Sequence, residues 1–330
     1  MSKKRVAING FGRIGRLTFR NLIEDDTIDV VAINDLTDNK TLAHLLKFDS
    51  AHGRFHGDII ATETHITVNG NKMQATAERD PSKLNWKELD IDVVLECTGF
   101  FRDAKKAGLH LQAGAKKVII SAPGKGDGID TIVLGVNGEQ LDGQCDILSN
   151  ASCTTNCLAP VMKILDQNFG FVQGSLTTTH AYTSDQNIQD APHSDLRRAR
   201  AAAYNIVPTT TGAAAAVGKV YPPVEGKLFA IAVRVPVITG SMIEVNAILD
   251  KAPSIEEVNG VFKSAADGAY KGIVEYSTDP LVSSDIVGNK HSSIFDSLMT
   301  NTMGNMVKVV SWYDNEAGYS ARLADLVAKA

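Results

Sequence analysis

The chain is poor in cysteine and has no long apolar run. Its four cysteines, Cys97, Cys145, Cys153 and Cys157, are scattered through 330 residues without the spacing of a disulfide framework, which argues for a reducing compartment. No stretch is long enough for a signal-peptide core or a membrane span, so the expected location is the cytoplasm. Excess positive charge is missing too. The 33 Lys and Arg against 38 Asp and Glu leave a net charge of −5, unlike a dedicated nucleic-acid binder. The pairs Lys105-Lys106 and Lys116-Lys117 read as solvated faces. Metal ligands are equally scarce. Cys153 and Cys157 could share one helix face, but zinc needs further ligands, and Cys97 and Cys145 stand singly in apolar runs. No metal is expected.

What is present suffices for two hydrophobic cores, with 44% hydrophobic residues over a length of about two ordinary domains. Residues 5–9, Arg-Val-Ala-Ile-Asn, read as a buried strand. Gly10-Phe11-Gly12-Arg13-Ile14-Gly15 follows, and Ile14, Leu17, Thr18 and Leu22 then recur at helical spacing. Glycines at these positions allow a tight turn, close approach of a pyrophosphate and close helix–strand packing, with the anion at the helix N-terminus. Gly10, Gly12, Arg13, Ile14 and Gly15 are the expected contacts. A second strand, Asp29 to Asn34, ends at Asp35, about twenty residues past the motif. Its carboxylate can accept ribose hydroxyls and would repel a 2′-phosphate. Leu36 and Thr37 follow rather than arginine, so NAD is expected over NADP. The plainer reading of Asp35 is a strand-end turn residue.

Val93–Glu96, Val118–Ser121 and Thr131–Leu134 read as further strands, Ala104–Ala113 as a helix, and His65–Val68, Asn69-Gly70, Lys72–Ala77 as a hairpin. Alternating βα units imply a doubly wound, mostly parallel sheet with helices on both faces. Thr98 and Ser121 end strands on its ligand-binding edge.

The second half carries the chemistry. Cys145 to Leu148 reads as a strand and Leu158 to Leu165 as helical, so Cys153 falls at a helix start. There the free amides and partial positive charge favour a thiolate. His180 ends the threonine-rich strand Gly174 to Thr179 and is the candidate base for that thiol; a structural histidine is the plainer alternative. Arg234 interrupts the apolar run Leu228 to Val235. A guanidinium there needs an anion, either a substrate phosphate or an internal carboxylate. Thr209-Thr210-Thr211-Gly212 precedes the helical Ala213 to Val217, another start suited to an oxyanion. Ala181 to Pro208 is a long irregular segment holding Arg197-Arg198-Ala199-Arg200, and a segment of that length is usually functional. Ion pairing with Asp190 and Asp195 is the plain reading of this cluster. Strands Met242–Leu249 and Met306–Trp312, with a helix near Ser254–Ala266, suit an α+β domain.

The run Ser149-Asn150-Ala151-Ser152-Cys153-Thr154-Thr155-Asn156-Cys157, together with the motif at Gly10, the histidine segment, Ala232-Val233-Arg234-Val235-Pro236 and Thr209 to Gly212, closely resembles the phosphorylating glyceraldehyde-3-phosphate dehydrogenases over nearly the whole chain. The resemblance implies an α/β protein: a Rossmann-type domain, 1–150 joined by a C-terminal helix 316–330, and a catalytic α+β domain, 151–315, with a mostly antiparallel sheet. It implies Cys153 paired with His180, Arg79 near the adenine and Asn315 near the nicotinamide amide. It also implies inorganic phosphate at Thr211 and Gly212, and substrate or phosphate contacts from Ser152, Thr154, Thr183, Arg198 and Arg234. The implied reaction is NAD-dependent oxidation and phosphorylation of glyceraldehyde 3-phosphate to 1,3-bisphosphoglycerate through a cysteine thiohemiacetal and thioester, in glycolysis. A homotetramer is implied, with Arg197 and Arg200 as interface structure. The sister erythrose-4-phosphate dehydrogenases share the cysteine, histidine and dinucleotide motifs but typically depart from Thr-Thr-Thr-Gly. A non-catalytic nucleotide-binding or adhesive role is the alternative of another class.

Overall fold

A computed structural model of the chain describes residues 3–142 and 145–330. It divides into two compact units, one within Met1–Ile132, Glu139–Ala151 and Ser320–Ala330, the other within Val133–Gly138 and Ser152–Tyr319.

The first unit holds strands β1 (Lys4–Asn9), β2 (Ile28–Asn34), β3 (Ile59–Ala61), β4 (His65–Val68), β5 (Asn71–Thr76), β6 (Val93–Glu96), β7 (Lys117–Ile120), β8 (Asp130–Thr131) and β9 (Ile147–Ser149). Among the described residues they form one sheet in the order β3-β4-β5-β2-β1-β6-β7-β9-β8. All pairs from β5 to β8 are parallel; the antiparallel β3-β4-β5 meander extends one edge. The chain winds outward from β1 in one direction through β2 and in the other through β6. The carboxyl ends of β1 and β6 are therefore the topological switch point where an open α/β sheet binds its ligand.

Three helices connect these strands. Helix α1 (Arg13–Leu22) buries Leu17, Phe19 and Leu22. Helix α2 (Asn39–Lys47) starts where the Asp38 side chain accepts the Thr41 amide, and α3 (Ala104–Gln112) where Asp103 accepts that of Lys106. Ala7, Ala32, Leu84, Trp86, Ile91 and Val94 form part of the core. The strand expected over Thr131–Leu134 is shorter than its apolar run suggests. Only Asp130 and Thr131 pair with β9. Beyond them the Val133 amide turns to Asn137 Oδ1 at 2.8 Å, and Gly135 takes φ +88°, a turn geometry outside the ladder.

The second unit contains β10 (Phe171–Ala181), β11 (Val207–Thr210), β12 (Leu228–Val235), β13 (Ser241–Leu249), β14 (Val274–Ser277), β15 (Ser293–Met303) and β16 (Met306–Tyr313). Their order is β11-β12-β10-β13-β16-β15-β14, with β10-β12 and β14-β15 parallel and the other pairs antiparallel. Helix α4 (Cys153–Phe169) packs against β10, β13, β15 and β16, flanked by α5 (Ala213–Val220) and α6 (Ile255–Asp267). Its apolar side chains are buried almost all round, as a central helix requires. Helix α7 (Ala317–Lys329) begins in this unit and passes into the first at Ser320. Within the first unit Lys4 Nζ donates to Val327 O (2.9 Å) and Ala328 O (3.1 Å), tying β1 to the end of that helix.

Candidate active site

In the first unit the glycine motif shows its physical reason residue by residue. Gly10 adopts φ +94°, and a Cβ there would lie 2.7 Å from the Thr98 amide nitrogen. A Cβ on Gly15 would lie 2.2 Å from the Gly10 carbonyl oxygen, so helix α1 can close on the loop only with glycine. Gly12, at the helix N-terminus, faces open space, as needed where a ligand's pyrophosphate approaches. A cavity of about 500 Å³ lies at the switch point, lined among others by Gly10, Gly12, Asp35, Arg79, Thr98 and Phe100. Asp35 accepts the Phe11 amide on Oδ2 (2.7 Å) and the Thr37 amide on Oδ1 (2.9 Å), which leaves lone pairs on both oxygens for ribose hydroxyls. Arg79 has no partner among the described residues. These groups fit a dinucleotide.

Not every expected contact reaches that cavity. Gly15 lies behind the loop, Ile14 sits in the first turn of α1, and Arg13 donates to Asp49 at 3.1 Å. The Ser121 hydroxyl bonds the Cys97 thiol, itself a lining residue. The sequence reading missed Asn9, Asn34, Glu78, Phe100 and Phe101 in the lining. Asn9 and Asn34 end β1 and β2 beside the motif, and that position was the available signal.

The second unit places the nucleophile. Ala151 adopts φ +55°, a left-handed conformation costing about 1 kcal/mol outside glycine, and turns the chain from β9 into α4. Ser152 caps α4, accepting the Thr155 amide at 3.1 Å, and Cys153 is its first residue. His180 lies near the end of β10, and its parallel neighbour in register on β12 is Arg234. This brings three groups together. Cys153 Sγ lies 3.4 Å from His180 Nε2. His180 Nδ1 lies 2.7 Å from Ala181 O and 3.2 Å from Arg234 Nη1; the shorter contact favours a proton on Nδ1, which satisfies the carbonyl and leaves the Nε2 lone pair facing sulfur. Arg234 Nη1 donates to Ala181 O (3.1 Å) and Thr183 Oγ1 (3.2 Å). Tyr313 stacks edge-on against the imidazole, and its hydroxyl bonds Thr154 and Thr178, each at 2.9 Å.

The helix-start argument favours a thiolate, but burial dominates here. It pushes the Cys153 thiol up, against the pull of the Arg234 guanidinium and of the Thr154 amide and hydroxyl. Burial, then Arg234, push the His180 imidazole down to about 3, opposed by the Ala181 carbonyl. Nε2 of His180 is thereby a base aimed at the Cys153 sulfur. Arg234 has no carboxylate partner among the described residues, and its buried Nε has no hydrogen bond at all. Among the described residues no ion pair neutralises it; Cys153 and Asp185 act on it only at longer range.

Arg198 acts on the same centre at longer range, lowering both His180 and Arg234. Its guanidinium pairs with Asp185 and donates from Nε to Thr209 Oγ1 at 3.0 Å, while Arg200 pairs with Asp190 at 2.9 Å. Arg197 makes no side-chain pair among the described residues. Thr211 Oγ1 accepts the Ala213 amide at 3.2 Å and Gly212 caps α5, with open space beside it. Among the described residues no hydrogen bond joins these two to the Cys153 pair. Asn315 is buried and bonded to Ser241.

A dinucleotide cavity at a Rossmann switch point, with a cysteine–histidine pair beside an unpaired arginine on a second unit, defines a dehydrogenase that works through a cysteine nucleophile. Comparison with known proteins narrows the class. The NAD-binding-domain model of glyceraldehyde 3-phosphate dehydrogenase matches residues 4–104, and the C-terminal-domain model matches residues 152–315. The chain is 58% identical to a glyceraldehyde-3-phosphate dehydrogenase of Mycobacterium avium, over 98% of this chain and 97% of the relative. It is 58% identical to that of Mycobacterium tuberculosis and 54% identical to that of Geobacillus stearothermophilus, with the same coverage. The chain belongs to the glyceraldehyde-3-phosphate dehydrogenase family, and its cofactor is NAD. Among the described residues no helix is long and apolar enough to cross a membrane, and no group of potential ligands could hold a metal ion.

Proposed function

We propose that the chain oxidises glyceraldehyde 3-phosphate to 1,3-bisphosphoglycerate, consuming NAD and inorganic phosphate, in cytoplasmic glycolysis and as a homotetramer. The observation that carries this reading is the 3.4 Å approach of Cys153 Sγ to the His180 Nε2 lone pair, next to an Arg234 without an internal counter-ion. Cys153 sulfur adds to the aldehyde carbon, forming a C–S bond, while its proton passes by way of Nε2 to the carbonyl oxygen, giving the thiohemiacetal hydroxyl and leaving Nε2 free again. His180 then takes the hydroxyl proton of the thiohemiacetal as its C–H bond breaks. Bound NAD supplies the hydride acceptor for that step. A thioester remains on Cys153. Inorganic phosphate attacks its carbonyl, the C–S bond breaks, and the acyl phosphate leaves. Arg234 and Thr183, with Arg198 behind them, suit the substrate phosphate; Ser152, Thr154, Thr211 and Gly212 are the proposed contacts for the attacking phosphate. Asp35, Arg79, Thr98 and Ser121 would hold the adenosine half of NAD and Asn315 the nicotinamide amide.

Exposed Phe229 and Ile231 lie on one face of β12, and Leu196 lines the same surface hollow as Ile231; this grouped apolar surface supports assembly. NADH formation measured at 340 nm, with phosphate present or omitted, tests the chemistry. Continuous turnover without phosphate, or a preference for erythrose 4-phosphate, would count against it, and NAD binding without NADH production would favour a non-catalytic role. Mass measurement in solution tests the tetramer.

A further inference from the structure

Asn315 has an oriented side chain, and one hydroxyl sets the orientation. Ser241, at the start of β13, is 1% exposed. Its Oγ accepts the Ala181 amide at 3.1 Å and donates to Asn315 Oδ1 at 2.8 Å. A serine hydroxyl has a single proton. Since the Ala181 N–H occupies a lone pair, that proton must find an acceptor, and the asparagine oxygen is the one present. The Asn315 amide is thereby fixed with Oδ1 toward Ser241 and Nδ2 turned away. Nδ2 has no hydrogen-bond partner among the described residues, although the side chain is 95% buried, its exposure being 5%. The backbone around it is held as firmly. Asp314 accepts Thr239 Oγ1 at 2.8 Å and the Gly288 amide at 2.9 Å, and it also accepts the Ala317 amide at 2.9 Å, capping α7.

We propose that Ser241 is a positioning residue that presents Asn315 Nδ2 as a donor to the nicotinamide carboxamide oxygen. The same hydroxyl binds Ala181, whose carbonyl fixes the His180 tautomer, so one side chain aligns the coenzyme's amide and the catalytic base. The proposal rests on the reading that Asn315 meets the nicotinamide. Without the Ser241 proton the amide is free to flip and offer an oxygen instead, which repels the carboxamide oxygen.

The test compares NAD with ADP-ribose, which lacks the nicotinamide, by calorimetric titration. Ser241→Ala should weaken NAD about fivefold to tenfold, the worth of one oriented hydrogen bond, and leave ADP-ribose unchanged. Ser241→Cys, close in size but a weak donor, should behave alike and guards against a packing artefact. In Asn315→Ala the further change Ser241→Ala should have no effect on NAD affinity. Equal weakening of both ligands, or an unchanged NAD affinity, would overturn the proposal. If Asn315→Ala alone left NAD affinity intact, the underlying contact would be wrong and the proposal with it. A loss in Asn315→Ala without one in Ser241→Ala would sink the proposal alone.

Discussion

Replacing Arg234 by leucine should separate binding from stability. With His180 protonated on Nδ1, which lies 3.2 Å from Nη1 and then cannot accept, the guanidinium makes two neutral-acceptor hydrogen bonds, to Ala181 O and Thr183 Oγ1, each worth about 1 kcal/mol net. Against them stands a half-buried cation whose Nε is unpartnered and which meets no carboxylate; one unsatisfied charged donor costs about 1–3 kcal/mol. These nearly cancel. Denaturant unfolding of Arg234→Leu should therefore move by no more than about 1 kcal/mol. Substrate is another matter. Losing charge-assisted bonds to a phosphate should cost about 3 kcal/mol, roughly a hundredfold in kcat/KM. The assay compares glyceraldehyde 3-phosphate with glyceraldehyde, which has no phosphate to hold, and the preference for the first should fall about a hundredfold. Because Arg234 pulls the Cys153 thiol down against burial, the pH profile of iodoacetamide alkylation should also move to higher pH. If the preference between the two aldehydes is unmoved, Arg234 does not bind the phosphate. If unfolding loses more than about 3 kcal/mol, the arginine belonged to a buried ion pair after all.

Other perturbations reach the remaining parts of the molecule. Cys153→Ser should lower turnover at least about a thousandfold while NAD titrates as before; near-normal NADH production would remove the nucleophile assignment. Gly15→Ala would press a methyl to 2.2 Å from the Gly10 carbonyl. It should lose about 1–3 kcal/mol in denaturant unfolding and weaken NAD, and unchanged values for both would mean that the loop is not closed on α1. Glu275 bonds His291 at 2.9 Å, and that bond, with Asn289, holds its carboxyl below the ordinary 4.5 despite burial. A depressed carboxylate stabilises above its unfolded value and loses that contribution as pH falls through the folded one. Glu275→Gln should therefore flatten the decline of thermal stability below about pH 4.5, and parallel acid curves would exclude this contribution.

Features with a local physical cause were legible in the sequence. The spacing of Gly10, Gly12 and Gly15 encodes a turn, an opening and a close packing contact, and each has its counterpart in the backbone. Ser152 and Cys153 could be placed at a helix start because an apolar run gives way there to capping residues. What depended on neighbours distant in sequence was not legible. Strand β15 escaped notice because it reads as polar. Its buried Ser293 and Asp296 are satisfied across the sheet by Ser311 Oγ (2.6 Å) and Trp312 Nε1 (3.0 Å), partners that only the fold supplies. The forces on the Cys153 thiol were legible only in part for a similar cause. A helix terminus is visible in sequence, but the burial that works against it is not. The ambiguity at Arg234, phosphate or carboxylate, could be narrowed only once its surroundings were known to place no carboxylate within ion-pair distance among the described residues, Asp185 acting from farther away.

The bond from Lys4 Nζ to the carbonyls of Val327 and Ala328 has a consequence for biosynthesis. A ribosome emits β1 well before the end of α7, yet both belong to the same unit. The nucleotide-binding unit must wait, partly built, until the end of α7 emerges, while the segment between already has every described strand of its own sheet. The half that begins first is the half that finishes last.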